Sequence, residues 1–200
     1  MLDKPAGLLC VPGRGPDKSD CLSQRAQRRW PGALIVHRLD QATSGLVLMA
    51  RNPAGAACVV SRLCRAPGAQ ALPGRGARRT AERRRRAGWT AGWATIDLPI
   101  AADWERRPLR VIDTEHGKPS QTQWRALSAG ANSTRLELAP LTGRTHQLRV
   151  HLAALGHPIL GDALYGDPAT APRLLLHATR LALDHPRTGE RLQFFSPPDF

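Results

Sequence analysis

One carboxylate stands apart in the first quarter of the chain. Asp40 lies in HRLDQATSGL, residues 37–46, and no other acid occurs within ten residues on either side. Arg38 precedes it and a Thr43-Ser44-Gly45 turn signal follows, so the charge is presented between a cation and hydroxyls. A guanidinium nearby favours the ionised carboxylate, the form that serves as nucleophile or base. A lone acid also limits the chemistry, because glycoside hydrolysis uses two carboxylates, one for the leaving group and one for water or the sugar. A second polar group lies in GRTHQLRVH, with Arg144, His146, Arg149 and His151. The two histidines do not have H-x-x-x-H spacing and no acid joins them, so no metal site is read there. His37, beside a strand end, reads as a structural hydrogen-bonding histidine.

These residues need a scaffold. ALIVHRLD reads as a buried strand running into a loop, and SGLVLMAR as a second strand leaving the turn. Asp40 is thus expected on a connection between two apolar strands, a common place for a functional side chain. MLDKPAGLLCVPGRG reads as strand plus loop, and residues 21–30, closed by Pro31, as a short basic helix. ATIDLPI, KPSQTQWRAL and TRLELAPL read as strands, the last ending at Thr142-Gly143. THQLRVHLAALGH places Leu148, Leu152 and Leu155 at helical spacing, closed by Gly156 and Pro158. RLLLHATRLAL and RLQFFSPPDF read as two final strands. Strands dominate without βαβ alternation, which predicts an α+β class with a largely antiparallel sheet.

Two hundred residues suit a single domain spanning 1–200. No apolar run reaches membrane-spanning length and none resembles a signal peptide, so no membrane partner is expected. Four cysteines without CxxC pairing read as reduced thiols of a cytoplasmic protein. The net charge of +13 suggests a nucleic-acid partner, but nine Arg against Glu82 between Arg62 and Arg86 supply +8 of it. The remaining +5 is only mildly basic. Residues 65–91 are Arg, Ala, Gly and Pro without apolar periodicity, out of keeping with a compact domain.

HRLDQATSGL, with KPAGLL before it and PLTGRTHQLRVHLAALGHPILGDALYG after it, resembles the RluA-type pseudouridine synthases. The motifs are separated, in family order, and the resemblance covers residues 1–63 and 92–200. It implies a bent, largely antiparallel or mixed sheet flanked by helices and loops, with a central basic cleft. It implies an isomerase that turns uridine into pseudouridine in structured RNA, as a monomer, with no cofactor and no metal. VPGRG, DW followed by RP, EHGKPSQTQW and APRLLLHATRLALDHP are most similar to a member that modifies both 23S rRNA and the tRNA anticodon loop. The reaction breaks the bond from the uracil nitrogen to the anomeric carbon, turns the base and rejoins it through carbon 5. Because every atom is retained, one carboxylate suffices, whether it attacks the sugar, attacks the base or removes a sugar proton. By the resemblance Asp40 is catalytic and Arg149 is its partner, with Arg144 as the alternative or a phosphate contact. Leu148 lines the uracil pocket, and Arg38 fills the gap left by the flipped uridine. Lys4, Thr43 and Ser44 support the site, and His37 and His146 bind RNA or serve the structure.

The sequence departs from that family in three places. The family places a K-x-Y strand against the uracil, expected near residue 72, whereas the only tyrosine is Tyr165 in GDALYG. Codons compatible with RAPGAQALPGRGA, read one nucleotide later, translate as ERQVHKRYLAVV, which restores that strand. Two compensating frameshifts, one near Cys64 and one between Arg86 and Trp93, would account for the odd stretch. The family also has a strand ahead of KPAG, expected to be missing from this chain. A competing reading follows: a catalytically impaired RNA-binding remnant, or a misfolded product.

Overall fold

The computed structural model describes residues 1–15, 18–63, 70–72, 92–130 and 132–200. The chain clusters into two units, Met1–Ala69 with His177–Asp199, and Gln70–Leu176 with Phe200.

The first unit is built around one fully buried strand. Strand β1 (Leu2–Lys4) runs antiparallel to β3 (Ser44–Val47), with Lys4 opposite Gly45. On its other edge β3 runs parallel to β11 (His177–Asp184), placing Ser44 opposite His177. Strand β12 (Arg191–Phe195) closes that edge antiparallel to β11. A small ribbon pairs β2 (Leu34–Ile35) with β4 (Met49–Ala50). All four residues of β3 are buried. Leu46 and Leu48 pack with Val59, Leu181 and Leu183 in one cluster, and Val47 with Cys10 and Leu22 in another. Gly45 adopts φ +109°, and a Cβ there would lie 2.5 Å from both the N and the O of Ala178. Only glycine lets β3 and β11 approach this closely.

Helix α1 (Leu22–Arg29) buries Leu22 and Ala26, one turn apart, and carries Arg28 and Arg29 in its last turn, where cations suit the helix dipole. Helix α2 (Pro53–Leu63) was not anticipated from the sequence. Its start is conventional: Pro53 opens it and the Asn52 side-chain oxygen accepts from Gly55 N at 2.8 Å.

In the second unit, strands run in the order β5 (Gln70–Leu72), β10 (Thr134–Pro140), β9 (Gln121–Ala129) and β6 (Ala94–Asp97). Neighbours are antiparallel throughout. A ribbon pairs β7 (Ile100–Ala102) with β8 (Arg110–Ile112). Helix α3 (Gln147–Ala154) packs on β8, β9 and β10 and buries Val150 and Leu152. Trp124, Leu136, Leu138, Ala139 and Ile96 are the buried apolar residues of the sheet among the described residues.

The α+β class holds, with a mixed rather than wholly antiparallel arrangement because of the β3–β11 pair. The long strand expected over ALIVHRLD shrinks to Leu34–Ile35. At its end the His37 side chain, rather than a strand carbonyl, takes the Leu48 amide. Residues 65–91 were expected to lack regular structure. The backbone of β5 nevertheless pairs with β10 there, Ala71 opposite Leu138, near residue 72 where the K-x-Y strand is expected. The rest of that stretch lies outside the described residues.

Candidate active site

In the first unit the HRLDQATSGL loop leaves β2 and returns into β3. Asp40 is half-buried on it, and its carbonyl accepts from Thr43 N at 3.1 Å, closing a turn. Lys4 anchors this loop from below. Its ammonium is fully buried and donates to the carbonyls of Pro5 at 2.9 Å, Leu8 at 2.7 Å and Gln41 at 3.0 Å. Three carbonyl acceptors require three N–H donors, so this arrangement needs the charged form. Burial pushes the Lys4 pKa down, while the charges of Cys10 and Asp40 work against that. Gln41 is tied further: its carbonyl accepts from Gly7 N at 2.9 Å and its side-chain amide donates to Gly7 O at 3.0 Å. On the preceding side, Leu39 N donates to the Cys10 sulfur at 3.2 Å. The residues on both sides of Asp40 are therefore pinned to the KPAGLLC segment.

The rest of the loop is equally constrained. His37 Nε2 accepts from Leu48 N at 2.9 Å. Burial lowers its pKa to about 4, so near neutrality the ring is uncharged. Ser44 is buried and its hydroxyl pairs with His177 Nδ1 at 2.9 Å. His177 Nε2 in turn meets the Ser196 hydroxyl and carbonyl, each at 3.1 Å, and the Ser196 hydroxyl donates to Asp3. Thr43 is buried beside Ser44, whereas Arg38 is exposed.

In the second unit the GRTHQLRVH segment makes its own constellation. His146 caps α3 in the left-handed region, φ 57°. Its Nδ1 pairs with the Tyr165 hydroxyl at 2.7 Å, and that hydroxyl also accepts from Arg110 N at 2.9 Å. Gln147 is the hub of the turn: its Oε1 accepts from Thr142 and from Arg144 N, and its Nε2 donates to Gln121 O and to the Thr122 hydroxyl. Arg144 is exposed, with Nε donating to Pro119 O at 3.2 Å, and Leu148 is partly buried.

Arg149 is 4% exposed and paired bidentately with Asp162, Nε to Oδ2 at 2.8 Å and Nη2 to Oδ1 at 2.6 Å. Burial alone would push the Asp162 carboxyl up. The Arg149 hydrogen bonds and charge, with the amides of Leu164 and Tyr165, hold it below the ordinary carboxylate value. The Arg149 guanidinium also lies 5.1 Å from the centre of the Tyr165 ring. Tyr165 stands out in the sequence only as the chain's sole tyrosine and Asp162 not at all, although both lie in the GDALYG motif. His151 is fully buried against Thr122 and the Leu98 carbonyl. Among the described residues no three His, Cys, Asp or Glu side chains converge on a point.

The first-unit loop holds a carboxylate in a stiff, sheet-anchored frame, which is equipment for acid–base or nucleophilic chemistry. In the second unit, α3 holds the Arg149 guanidinium in fixed orientation through Asp162. Comparison with known proteins gives this chemistry a context. The family model of RNA pseudouridylate synthases matches residues 1–65 and 91–154. Across its whole length the chain is 41% identical to the dual-specificity RNA pseudouridine synthase RluA of Escherichia coli O157:H7, covering 89% of it. It is also 41% identical to that of Yersinia pestis, again over the whole chain and covering 95% of the relative. The solved structure of human RNA pseudouridylate synthase domain containing 1 superposes with a TM-score of 0.74 at 29% identity, over 99% of this chain and 79% of its own. Human RNA pseudouridylate synthase domain containing 4 shares the fold, with a TM-score of 0.69 at 23% identity, over 98% of this chain and 84% of its own.

Proposed function

The chain belongs to the RNA pseudouridylate synthase family, and we propose that Asp40 carries its reaction. The enzyme is an isomerase acting on RNA, converting uridine to pseudouridine. The observation behind the assignment is that Asp40 is the only carboxylate between Asp20 and Glu82, on a loop whose neighbours on both sides are pinned. Arg149 supplies the fixed positive charge, Arg144 a phosphate contact, and Leu148 an apolar wall for the base. Arg38, exposed beside Asp40, takes the space of the flipped uridine. Lys4, His37, Thr43 and Ser44 position the loop, and His146 holds the turn before Arg149. The RluA relatives are named dual-specificity enzymes, which supports 23S rRNA and the tRNA anticodon loop as substrates here. The enzyme works as a monomer, in the cytoplasm, without metal. No helix among the described residues is long and apolar enough to cross a membrane.

Asp40→Ala tests this reading. Pseudouridine formation, followed by carbodiimide primer extension on 23S rRNA and tRNA, should fall to background. RNA affinity should stay close to that of the parent chain, since phosphate contacts position RNA and one carboxylate adds little to them. Residual modification would move the reaction to another residue.

A second reading rests on residues 66–90, which the family match leaves out and which coincide with the Arg-rich stretch. If two frameshifts replaced the K-x-Y strand, the literal chain is an impaired RNA binder, and restoring the frame restores turnover.

A further inference from the structure

The second unit carries a cleft of about 740 Å³ beside β7 and β8, and every residue that lines it belongs to that unit. Its features are an indole and several cations. Trp104 is 72% exposed, an unusual state for the largest apolar side chain. Its loop is stiff rather than floppy. Asp103 accepts from Arg106 N at 2.9 Å and Arg106 Nε at 2.8 Å, and the backbone closes twice between 103 and 109. The Arg107 guanidinium lies 4.2 Å from the Trp104 ring centre, covering one face of the indole.

The walls are basic. Arg110, Lys118 and Arg144 line the cleft, against a single carboxylate, Asp113, which is occupied by the amides of Glu115 at 3.0 Å and His116 at 2.9 Å. Among the described residues, Arg110 Nε is buried with no hydrogen-bond partner, a donor left without an acceptor. Arg110 itself is fixed, because its backbone N donates to Tyr165, the residue that also meets His146.

We propose that this cleft binds one unpaired nucleotide of the RNA substrate other than the target uridine, its base stacked on Trp104 and its phosphate held by Lys118 and Arg144. The inference rests on RNA being the substrate. An aromatic face braced by a cation takes any base, and the surrounding lysine and arginines match a phosphate. A subsite of this kind would select RNAs that offer an unpaired base at a fixed distance from the uridine, so it bears on substrate choice rather than on the isomerisation.

The probe is a fluorescein-labelled tRNA anticodon stem–loop, with loop nucleotides replaced one at a time by an abasic residue. Anisotropy titrations compare the parent chain with Trp104→Ala, Trp104→Phe and Lys118→Ala. Trp104→Ala should weaken binding about tenfold and Trp104→Phe should recover most of it. One abasic position should erase the difference between Trp104→Ala and the parent. Lys118→Ala should lower the slope of log affinity against log salt by about one. Binding by Trp104→Ala within twofold of the parent overturns the proposal. So does a loss of equal size on every abasic probe, which would mark a general rather than a stacking contact. Pseudouridine formation by the parent is measured on the same RNA, and its absence would sink the synthase reading while the titrations still decide the subsite.

Discussion

Replacing Lys4 by Met isolates the anchor beneath the Asp40 loop. The methionine keeps the length of the side chain and removes the three donors that hold the carbonyls of Pro5, Leu8 and Gln41. The part-buried carbonyls of Pro5 and Leu8 are left without that donor at about 1–3 kcal/mol each, while Gln41 O keeps the Gly7 amide. Relief from burying an ammonium, several kcal/mol in itself, offsets part of that total. The balance is a destabilisation of about 2 kcal/mol, equivalent to about 4–8 °C in Tm for a chain of this size. The effect on turnover should exceed what stability alone explains, because Gln41, the residue next to Asp40, loses one of the two donors that hold its carbonyl. A displacement of about 1 Å at a reacting group costs on the order of a hundredfold in rate. Scanning calorimetry gives the first quantity and single-turnover primer extension, below the melting range, the second. Lys4→Arg should not rescue either, since a planar guanidinium cannot aim three donors at three carbonyls around one point. A Lys4→Met protein that melts within about 1 °C of the parent and keeps its single-turnover rate would refute this account of the loop.

Three further outcomes follow from other sites. His37 titrates near 4 in the folded chain and at its ordinary 6.5 once unfolded, so the unfolded chain binds the extra proton between those values. Stability present above 6.5 should therefore be lost on acidification toward 4. Urea unfolding at about pH 7 and pH 4.5 should show the parent losing about 2 kcal/mol more than His37→Gln, and equal losses would refute it. Gly45→Ala drives a methyl group against the Ala178 backbone and should destabilise by about 3 kcal/mol or more, read by chemical denaturation. A melt unchanged from the parent would mean that β3 and β11 are not registered there. Expression of the chain with ERQVHKRYLAVV restored should raise turnover on the same RNA, and equal turnover and Tm would retire the frameshift idea.

The sequence was most readable where local pattern and chemistry coincide. Strands β9, β10, β11 and β12 and helix α3 follow from alternation or helical spacing, and the place of Asp40 on a connection between strands follows from the apolar runs on either side of it. Helix α2 escaped because Ala, Gly and Cys give NPAGAACVV a weak apolar stripe, although Asn52-Pro53 is a usable start signal. The strand at ALIVHRLD was read too long because a side chain, His37, ends up taking the amide of Leu48. Asp162 was passed over because its value lies in a pairing formed across thirteen residues by a turn and a helix, which no local pattern encodes. The role of Lys4 is of the same kind, since its acceptors are main-chain carbonyls that exist only once Gln41 has come alongside it.

The parallel pairing of β3 with β11 has a consequence for how the protein is made. The Asp40 loop opens directly into β3, whose neighbour begins only at His177, so the ribosome has already synthesised Gln70–Leu176 before that neighbour emerges. Asp3 waits still longer for its hydrogen-bond partner, Ser196. During translation the contiguous second unit has all its antiparallel strands early, while the first unit must hold β1 and β3 without their outer strand. A nascent chain thus completes the frame around the Asp40 loop among the last events of synthesis.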